Sequence, residues 1–431
     1  MQQLRLSLLT TILFLFGQMA LAQVYVDGGN TRHRFAQMTV GAEMLYVPEG
    51  GSAQFLQDDE LQMTDFPARI QPRLSIGGTH FWGHAEFYVA FDLPNLADTE
   101  VAPGTDIFTS TGVETAFKYY PWRLEKGKVR PFVGSGMAVP GVRISQGDQR
   151  GRYANQTIVP ITAGLTYQTG KLLWEVGGRY RTGSNTDYFL SRTQSTTLEP
   201  SRWSAFAGVR FQFETTLSAE APYQDGRTDA IVEKLGEMGK LSGFSVAVGP
   251  SSSFNIMGKK GTYNEGEREF LGSQPGSGVF VEFGLGYYYQ PWDAHANFSY
   301  RNYSSGIGAY DYRQQVKRRA FTLEAYKFLG DYHGFVPFVG PAISYDRWSL
   351  AEADGNTLVN SQADNHVLPG LTFGWDIRPD KAQWFILRTN LRYFPFQMDT
   401  PGDTRLALNQ LEFNFIQLVI YPGRWRALRS L

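Results

Sequence analysis

Apolar and polar side chains alternate along most of this chain, in segments of about ten residues. Between Trp203 and Phe213 most odd-numbered positions are bulky and apolar, whereas Ser204, Arg210 and Gln212 lie between them. Successive side chains of a β-strand point to opposite faces of its sheet, so a period of two indicates strands with one apolar and one polar face. The pattern therefore predicts an all-β protein.

The alternation predicts eight strands in each half of the chain. In the first half they lie near residues 37–47, 70–80, 84–93, 107–120, 129–144, 158–168, 171–182 and 203–213, and in the second near 242–254, 278–289, 293–303, 318–329, 335–346, 366–376, 383–394 and 409–421. The connections between them alternate between long, such as 183–202 and 347–365, and short, such as 169–170. Long loops at one end and short turns at the other are typical of a transmembrane antiparallel up-and-down β-barrel with extracellular long loops. A soluble β-sandwich has no reason to segregate loop length in this way.

The second half of the chain repeats the first. The sequence Pro131–Gly134 recurs as Pro337–Gly340, and the His-Ala pair at His84 recurs at His295. The repeat predicts two homologous eight-strand units over residues 23–213 and 241–421. Residues 214–240 would form a periplasmic linker with a short helix, and residues 422–431 a basic C-terminal tail.

The first 22 residues predict a cleavable signal peptide. Arg5 precedes an apolar run from Leu6 to Phe16, and Ala20-Leu21-Ala22 provides the small residues of a cleavage site. The chain has no cysteine, which excludes disulfides and thiolate metal sites, and its net charge of −1 gives no basic excess for nucleic acid.

Two units of eight strands could close separately or join into one ring. An eight-stranded barrel has an interior that side chains fill, whereas a sixteen-stranded barrel encloses an aqueous channel. Tyr88, Phe132, Phe206 and Phe338 are inferred to point inward among several glycines, which favours filled lumens. We therefore favour two tandem eight-stranded barrels, with one sixteen-stranded barrel as the alternative.

Charged residues on the polar faces of the strands are the candidate site residues. They are Arg73, Glu86, Glu114, Lys118, Glu175, Arg179, Arg210, Glu282, Arg301, Arg388 and Arg392. We expect them to line the lumens, either as salt-bridged plugs or as charged constrictions of a pore. In the second unit Arg301, Arg388 and Arg392, with Asn390, predict a somewhat basic lumen.

The signal sequence, the eight-strand rhythm, the segregated loops and the terminal strand Trp203–Phe213 together resemble small bacterial outer-membrane barrels. These are barrels of the OmpA, OmpX and OmpW type, in particular the outer-membrane β-barrel domains common in Bacteroidetes. One departure is that the chain continues beyond its last strand, so that Tyr421 would provide the terminal aromatic. The resemblance implies a place in outer-membrane lipid, reached with periplasmic chaperones and the barrel-assembly machinery. It implies no particular activity, because one fold hosts many functions.

Candidate chemistry is sparse. His84 and His295 occupy equivalent positions, and Glu86 lies on the same face as His84, but no serine is tied to either histidine by the sequence. No cofactor or metal site is predicted, and the sequence predicts a protein that is not an enzyme. The favoured function is a structural or surface-interaction role through the long extracellular loops, and the alternative is a porin-like channel for small solutes. A lipid-modifying barrel enzyme is a less favoured third reading, and it requires a serine near His84 or His295 at the outer rim.

Overall fold

The computed structural model describes residues 36–57, 60–93, 99–124, 127–147, 149–183, 185–214, 226–255, 261–266, 268–272, 279–331, 335–378, 382–400 and 404–430. The predicted signal peptide lies outside these residues. The first sixteen strands are β1 (Ala36–Val47), β2 (Gly50–Gln57), β3 (Glu60–Phe66), β4 (Arg69–His80), β5 (Ala85–Asp92), β6 (Thr99–Ala102), β7 (Thr105–Ser110), β8 (Glu114–Tyr119), β9 (Val129–Ala138), β10 (Gly141–Gln146), β11 (Gln149–Arg150), β12 (Ala154–Asn155), β13 (Val159–Thr169), β14 (Leu172–Thr182), β15 (Thr186–Phe189) and β16 (Ser195–Pro200).

The remaining strands are the last barrel strand of the first half and all strands of the second half. They are β17 (Trp203–Glu214), β18 (Gly243–Asn255), β19 (Phe280–Tyr289), β20 (Ala294–Ala309), β21 (Tyr312–Phe328), β22 (Phe335–Asp354), β23 (Thr357–Ile377), β24 (Phe385–Phe394), β25 (Gln397–Thr400), β26 (Thr404–Ala407) and β27 (Gln410–Ile420). The α-helices of the described residues are α1 (Gly226–Glu237), α2 (Gly261–Gly266) and α3 (Pro422–Ser430).

The strands close into two separate antiparallel barrels. The first ring is β1-β17-β14-β13-β9-β8-β5-β4 and the second is β18-β19-β20-β21-β22-β23-β24-β27. Each ring is closed by pairing of its own first and last strands, β1 with β17 and β18 with β27. The preferred prediction of two eight-stranded barrels is confirmed, and the alternative of one sixteen-stranded barrel is wrong.

The repeated sequence motifs lie on equivalent strands. Pro131–Gly134 is on β9 and Pro337–Gly340 on β22, each the fifth strand of its barrel. His84 directly precedes β5 and His295 lies on β20, each the third strand. The two barrels therefore share their strand order as well as their sequence pattern.

The alternation of the sequence becomes an inside and an outside. On β13 and β14 the outward side chains, such as Ile161 and Val176, are exposed, while Thr162 and Glu175 face the lumen and are buried. An apolar exterior around a polar interior is the arrangement that a barrel needs in a membrane. We call the end with short turns periplasmic and the end with long connections extracellular. Aromatic pairs mark both ends, with Tyr180 beside Trp203 at the extracellular end and Tyr289 beside Trp292 at the periplasmic end.

Several predicted loops and strands differ from the observed ones at the extracellular end. The predicted strand 107–120 is divided into β7 and β8 at Gly112, whose φ of 68° is left-handed and ends the pairing. The predicted strand 129–144 is likewise divided into β9 and β10. Residues 347–365 are not a loop, because the period-two pattern of β22 and β23 continues to a tight turn at Gly355.

The long connections of the first barrel fold into small sheets of their own. One has the strand order β15-β16-β2-β3, and another contains β11-β10-β7-β6 with β12 beside β10. They enclose an apolar core that includes Phe55, Ile107, Ile144, Tyr188 and Leu198. These segments are therefore folded structure above the barrel.

Two helices pack at the periplasmic end of the second barrel. The linker helix α1 and the C-terminal helix α3 share an apolar cluster that contains Leu235, Ala382 and Ala427. Arg424 of α3 is buried and donates a hydrogen bond to the carbonyl oxygen of Gln383 at 3.0 Å. Residues that the sequence predicts to be a basic tail therefore form a docked helix. No helix among the described residues has the length and apolar character needed to cross a membrane.

Candidate functional site: the lumens and the extracellular platform

The lumen of the first barrel contains a paired network of buried charges. Arg73 contacts Glu43 at 2.7 Å and Glu114 at 3.0 Å, and Arg179 contacts Glu114 at 3.2 Å. A second part of the network joins Lys118 to Glu175 at 2.5 Å, and Arg210 bridges Glu175 and Glu86. The structure thus brings together all seven first-unit candidates: Arg73, Glu86, Glu114, Lys118, Glu175, Arg179 and Arg210.

The second lumen contains a similar network with different partners. Arg392 contacts Glu282 at 2.7 Å and Glu324 at 2.5 Å, while Arg388 makes two hydrogen bonds to Asp376. Arg301 and Arg318 share Glu412, and Arg318 also binds Asp346. All four second-unit candidates, Glu282, Arg301, Arg388 and Arg392, lie in this lumen and are buried.

Sequence reasoning missed several members of these two networks. The missed lumen residues are Glu43, Asp92, Arg318, Glu324, Asp346, Asp376 and Glu412. The expected basic character of the second lumen is wrong, because five carboxylates there face four arginines among the described residues. The alternation of the sequence could have identified them, since each missed carboxylate of the second barrel lies on the same strand face as the other buried polar residues.

Aromatic rings fill the space that the charges leave. The rings of Phe132 and Phe206 lie over Gly164 and Gly177, so that a side chain at either glycine would meet the ring edge at 2.7 to 2.8 Å. Phe338 covers Gly374 in the same way in the second barrel. Large rings over glycines and paired charges together occupy the two lumens.

The two histidines have different surroundings. His84 lies at a periplasmic turn, where its Nδ1 is 2.8 Å from the carbonyl oxygen of Tyr120 and burial lowers its pKa. Glu86 points into the lumen and accepts a hydrogen bond from Tyr120 Oη at 2.6 Å, so the structure does not bring it to His84. The expected acid–base pair is therefore not formed.

His295 has the serine that the sequence could not assign to it. Its Nε2 lies 3.0 Å from Oγ of Ser245, which is on β18 of the same barrel. Both residues are buried inside the barrel rather than at its outer rim, and His295 Nδ1 has no hydrogen-bond partner in the structure. A nucleophilic serine needs a base that a third group orients, and this pair lacks one among the described residues.

The extracellular segments of the two barrels meet and form one surface. The contact contains an apolar cluster of Phe189 from the first barrel with Phe270, Leu271, Ala309 and Tyr312 from the second. We call the extracellular sheets of the first barrel, together with the strand tips of the second, the platform. The turn at Tyr310 and Asp311 contacts the first barrel, where Tyr310 binds the carbonyl oxygen of Phe189. Both turn residues have positive φ angles.

Arg192 makes polar contacts between the two halves of the platform. Arg192 follows β15 and makes hydrogen bonds of 2.9 and 2.6 Å to the carboxylate of Asp354 at the end of β22. It also donates to the carbonyl oxygen of Tyr310 at 2.6 Å. The hydrogen bond from Arg192 lowers the pKa of Asp354, and the same pairing raises the pKa of Arg192. We call this contact the clasp.

Tyr188 stabilises the first-barrel side of the clasp. Its hydroxyl accepts a hydrogen bond from the backbone amide of Ile144 at 2.8 Å, which ties the β15–β16 hairpin to β10. Burial raises the pKa of Tyr188 to about 12, so the phenol stays neutral at physiological pH. No group of three or more histidine, aspartate or glutamate side chains in the described part of the chain is arranged to hold a metal ion.

No protein-family profile and no curated protein matches this chain. Among solved structures it is similar to Neisserial surface protein A, with 15% identity over 41% of this chain and 97% of that one, and a TM-score of 0.26. It is similar to the N-terminal β-barrel domain of Pseudomonas aeruginosa OprF, with 18% identity, the same coverages and a TM-score of 0.24. OmpT of Vibrio cholerae matches 91% of this chain and 99% of its own length, with 9% identity and a TM-score of 0.18. Sequence identities and TM-scores this low do not indicate a function for this chain.

The structure itself decides the class. Only helices and closed barrels can satisfy every backbone hydrogen bond within a bilayer, and these two barrels expose apolar side chains around their girth. This chain is an integral outer-membrane β-barrel protein. The location predicted from the sequence is confirmed.

The prediction that excludes enzymatic activity is wrong, because the fold does not exclude it. The closed barrel is a fold that can carry an enzymatic activity as well as other functions. An activity depends on individual side chains placed on a barrel, not on the barrel itself. Sparse motifs in the sequence therefore gave no ground for excluding catalysis.

Proposed function

We propose that this outer-membrane protein is a surface-interaction protein that presents its platform to extracellular partners and uses its two barrels as anchors. The observation that carries the proposal is the clasp. Arg192 joins segments of two barrels that close independently, at the end that faces away from the periplasm. A membrane anchor alone does not require a folded extracellular surface in which segments of both barrels are connected.

The lumens support this role over the porin-like alternative. That alternative depended on one wide barrel, whereas each eight-stranded lumen here is filled by side chains such as Arg73, Phe132, Arg392 and Phe338, which are at most 2% exposed. A buried salt-bridge network of this kind excludes water and solutes, because opening it would leave charges unpaired.

The exposed edge of the platform suggests how a partner binds. Strand β3 is the edge of the sheet β15-β16-β2-β3, and it pairs only with β2 in the described residues. Its side chains Leu61 and Met63 are exposed. An exposed edge strand can accept an extended peptide as an additional strand, with main-chain hydrogen bonds giving affinity.

The first test is the single-channel conductance of refolded residues 23–431 in a planar bilayer. Two filled barrels should give no steady openings in a sample whose folding is verified by heat-modifiable mobility. Large, steady openings would contradict the proposal and support a porin-like function.

The second test concerns the platform. The protein in nanodiscs is presented to immobilised collagen, fibronectin and mucin, and Met63→Lys should weaken binding of any probe that the wild type retains, because a charge blocks strand addition. Leu358→Lys is the matched control, since Leu358 is similarly exposed (65% against 70%) but lies on β23 of the second barrel. Equal binding by both variants would exclude β3 as the docking strand.

The remaining parts of the proposal concern origin and export. Residues 1–22 would direct the chain to the periplasm, and chaperones and the barrel-assembly machinery would insert it into outer-membrane lipid. The equivalent strands that carry Pro131 and Pro337 support an origin by internal duplication of an OmpA-like unit of the Bacteroidetes type.

A further inference from the structure

Two arginines lie at the extracellular mouth of the first barrel, above the salt-bridge network of its lumen. Arg69 is the first residue of β4, and Arg181 is the last but one residue of β14. Each is an even number of positions from a buried lumen arginine of its own strand, Arg73 or Arg179, and therefore lies on the lumen face. Arg181 is buried and Arg69 is half-buried.

Neither guanidinium has an ion-pair partner in the described part of the chain. Arg69 donates a hydrogen bond to the hydroxyl of Thr109, and the side chain of Arg181 makes no hydrogen bond to any described residue. Asp92 attracts Arg69 but is bound to Arg73 at 3.2 Å. A buried cation ordinarily has a partner, because removing its charge from water costs free energy.

The electrostatic surroundings of Arg181 are unfavourable. Arg69 repels it, and Glu114, which attracts it, is bound to Arg73 at 3.0 Å and to Arg179 at 3.2 Å. The mouth of this lumen therefore carries positive charge that the carboxylates of the described residues do not compensate.

Both arginines line one small cavity of about 30 Å³ between the barrel and the platform. Gln156 also lines it, and its Oε1 accepts a hydrogen bond from Thr186 Oγ1 at 2.9 Å, so that its amide nitrogen is left as a further donor. Within the described residues no carboxylate lines the cavity. Cationic and neutral donors thus surround a space that contains no acidic side chain.

The chemistry and the size of this space select its occupant. A guanidinium has donors and no acceptor, so the group that completes the site must accept hydrogen bonds and carry negative charge. A cavity of about 10–15 Å³ admits one water molecule, so 30 Å³ has room for a monatomic anion but not for a ligand of many atoms. We propose that the cavity binds one chloride ion between the guanidinium groups of Arg69 and Arg181.

The ion would connect the barrel with the platform. Arg69 and Arg181 belong to the barrel strands β4 and β14, whereas Thr109 and Thr186, which line the same cavity, belong to the platform strands β7 and β15. The bound anion holds these elements together by compensating the charge at their junction. This role does not depend on which partner the platform binds.

The direct test is anomalous diffraction from crystals of the full chain soaked in bromide, which substitutes for chloride. One anomalous peak should lie within hydrogen-bonding distance of the guanidinium groups of both Arg69 and Arg181, and it should be absent in Arg181→Gln. Arg150→Gln is the matched control, since Arg150 is an exposed arginine of β11, and it should retain the peak. A wild type without a peak at this position would overturn the proposal.

A measurement in solution separates specific binding from an adventitious ion only. The temperature at which heat-modifiable mobility is lost is measured at constant ionic strength, with chloride exchanged for gluconate, which is too large for the cavity. The transition temperature of the wild type should rise with chloride, because a ligand that binds only the folded state stabilises it. A bromide peak without this chloride dependence would mean binding at crystal concentration only and would overturn the proposal.

The same measurement distinguishes anion binding from a purely structural role of Arg181. Arg181→Gln should not respond to chloride, and in gluconate it should be at least as stable as the wild type, because the repulsion from Arg69 is removed. An equal loss of stability in both salts would overturn the proposal. Arg69→Gln removes the other guanidinium and should also abolish the response, so it provides the test if Arg181→Gln does not fold.

Discussion

At the scale of single residues, inward glycines determine how tightly each lumen closes. Gly177 and Gly178 are adjacent on β14, but a side chain at Gly177 would meet Phe206 at 2.8 Å and the carbonyl oxygen of Ala163 at 2.5 Å. A side chain at Gly178 would meet nothing closer than 3.9 Å. The two positions differ because alternate residues of a strand face the lumen and the lipid.

This difference predicts opposite results for the same substitution. Gly177→Ala should reduce the free energy of unfolding by about 1–3 kcal/mol through overpacking. Gly178→Ala should leave it unchanged or raise it by about 0.4–1 kcal/mol, because alanine restricts the unfolded chain. Urea unfolding, followed by heat-modifiable mobility, measures both. Equal losses would contradict the assignment of Phe206 to the space above Gly177.

Neighbouring arginines on β21 provide a second comparison. Arg318 is 1% exposed and binds Asp346 and Glu412, whereas Arg319 faces outward. Arg318→Ala should destabilise the protein by about 3–5 kcal/mol, because it leaves buried carboxylates without their partner. Arg319→Ala should change the stability by less than about 0.5 kcal/mol. The same unfolding measurement distinguishes them, and a mild Arg318→Ala variant would mean that water reaches this lumen.

At the scale of elements, the clasp connects β15 with the end of β22. Both of its charged side chains, Arg192 and Asp354, are 41% exposed. Exposed ion pairs contribute little to stability because water screens them. We therefore expect the clasp to affect the relative position of the extracellular elements rather than the stability of either barrel.

The cysteine-free chain makes this expectation measurable. Spin labels attached through Thr197→Cys and Thr357→Cys would report the distance across the platform, measured by pulsed electron paramagnetic resonance. Arg192→Ala should broaden the distance distribution, whereas Arg405→Ala should not, since Arg405 pairs with Asp399 within one hairpin of the second barrel. An unchanged distribution in Arg192→Ala would show that the apolar cluster around Phe189 suffices.

The clasp should also depend on pH. The hydrogen bond from Arg192 lowers the pKa of Asp354 below the ordinary aspartate value of about 3.9. A carboxylate with a lowered pKa contributes fully above the ordinary value, and its contribution is lost as the pH falls through the lowered one. The label distances should therefore stay narrow at neutral pH and broaden only below about pH 4. Broadening near pH 6 would indicate a different titrating group.

At the scale of the whole molecule, each barrel closes on itself. Because β1 pairs with β17 and β18 pairs with β27, no strand pairing within the described residues joins the two rings. Residues 23–213 and residues 241–431, produced separately, should each insert into lipid and show heat-modifiable mobility. Halves that insert only when they are mixed would contradict independent closure.

Much of this fold could be predicted from the sequence, for physical reasons. The period-two pattern of Trp203–Phe213 follows from the pleat of a strand between lipid and lumen, and the strand boundaries near β13 and β14 are within a residue or two of the predicted ones. The prediction failed where neighbours outside the segment decide, as at Gly112, where the chain leaves the barrel and enters a separate sheet.

The candidate site shows the same division. Sequence pattern alone determined that residues such as Arg73 and Arg392 lie on the inward face, since a face is a local property of a strand. Only the tertiary structure decided that Glu43 and Glu324 are their partners, that the strands close into two rings, and that Arg192 reaches Asp354. Pairing, ring closure and contact between barrels each depend on the distance between residues far apart in the chain, and no local pattern encodes that distance.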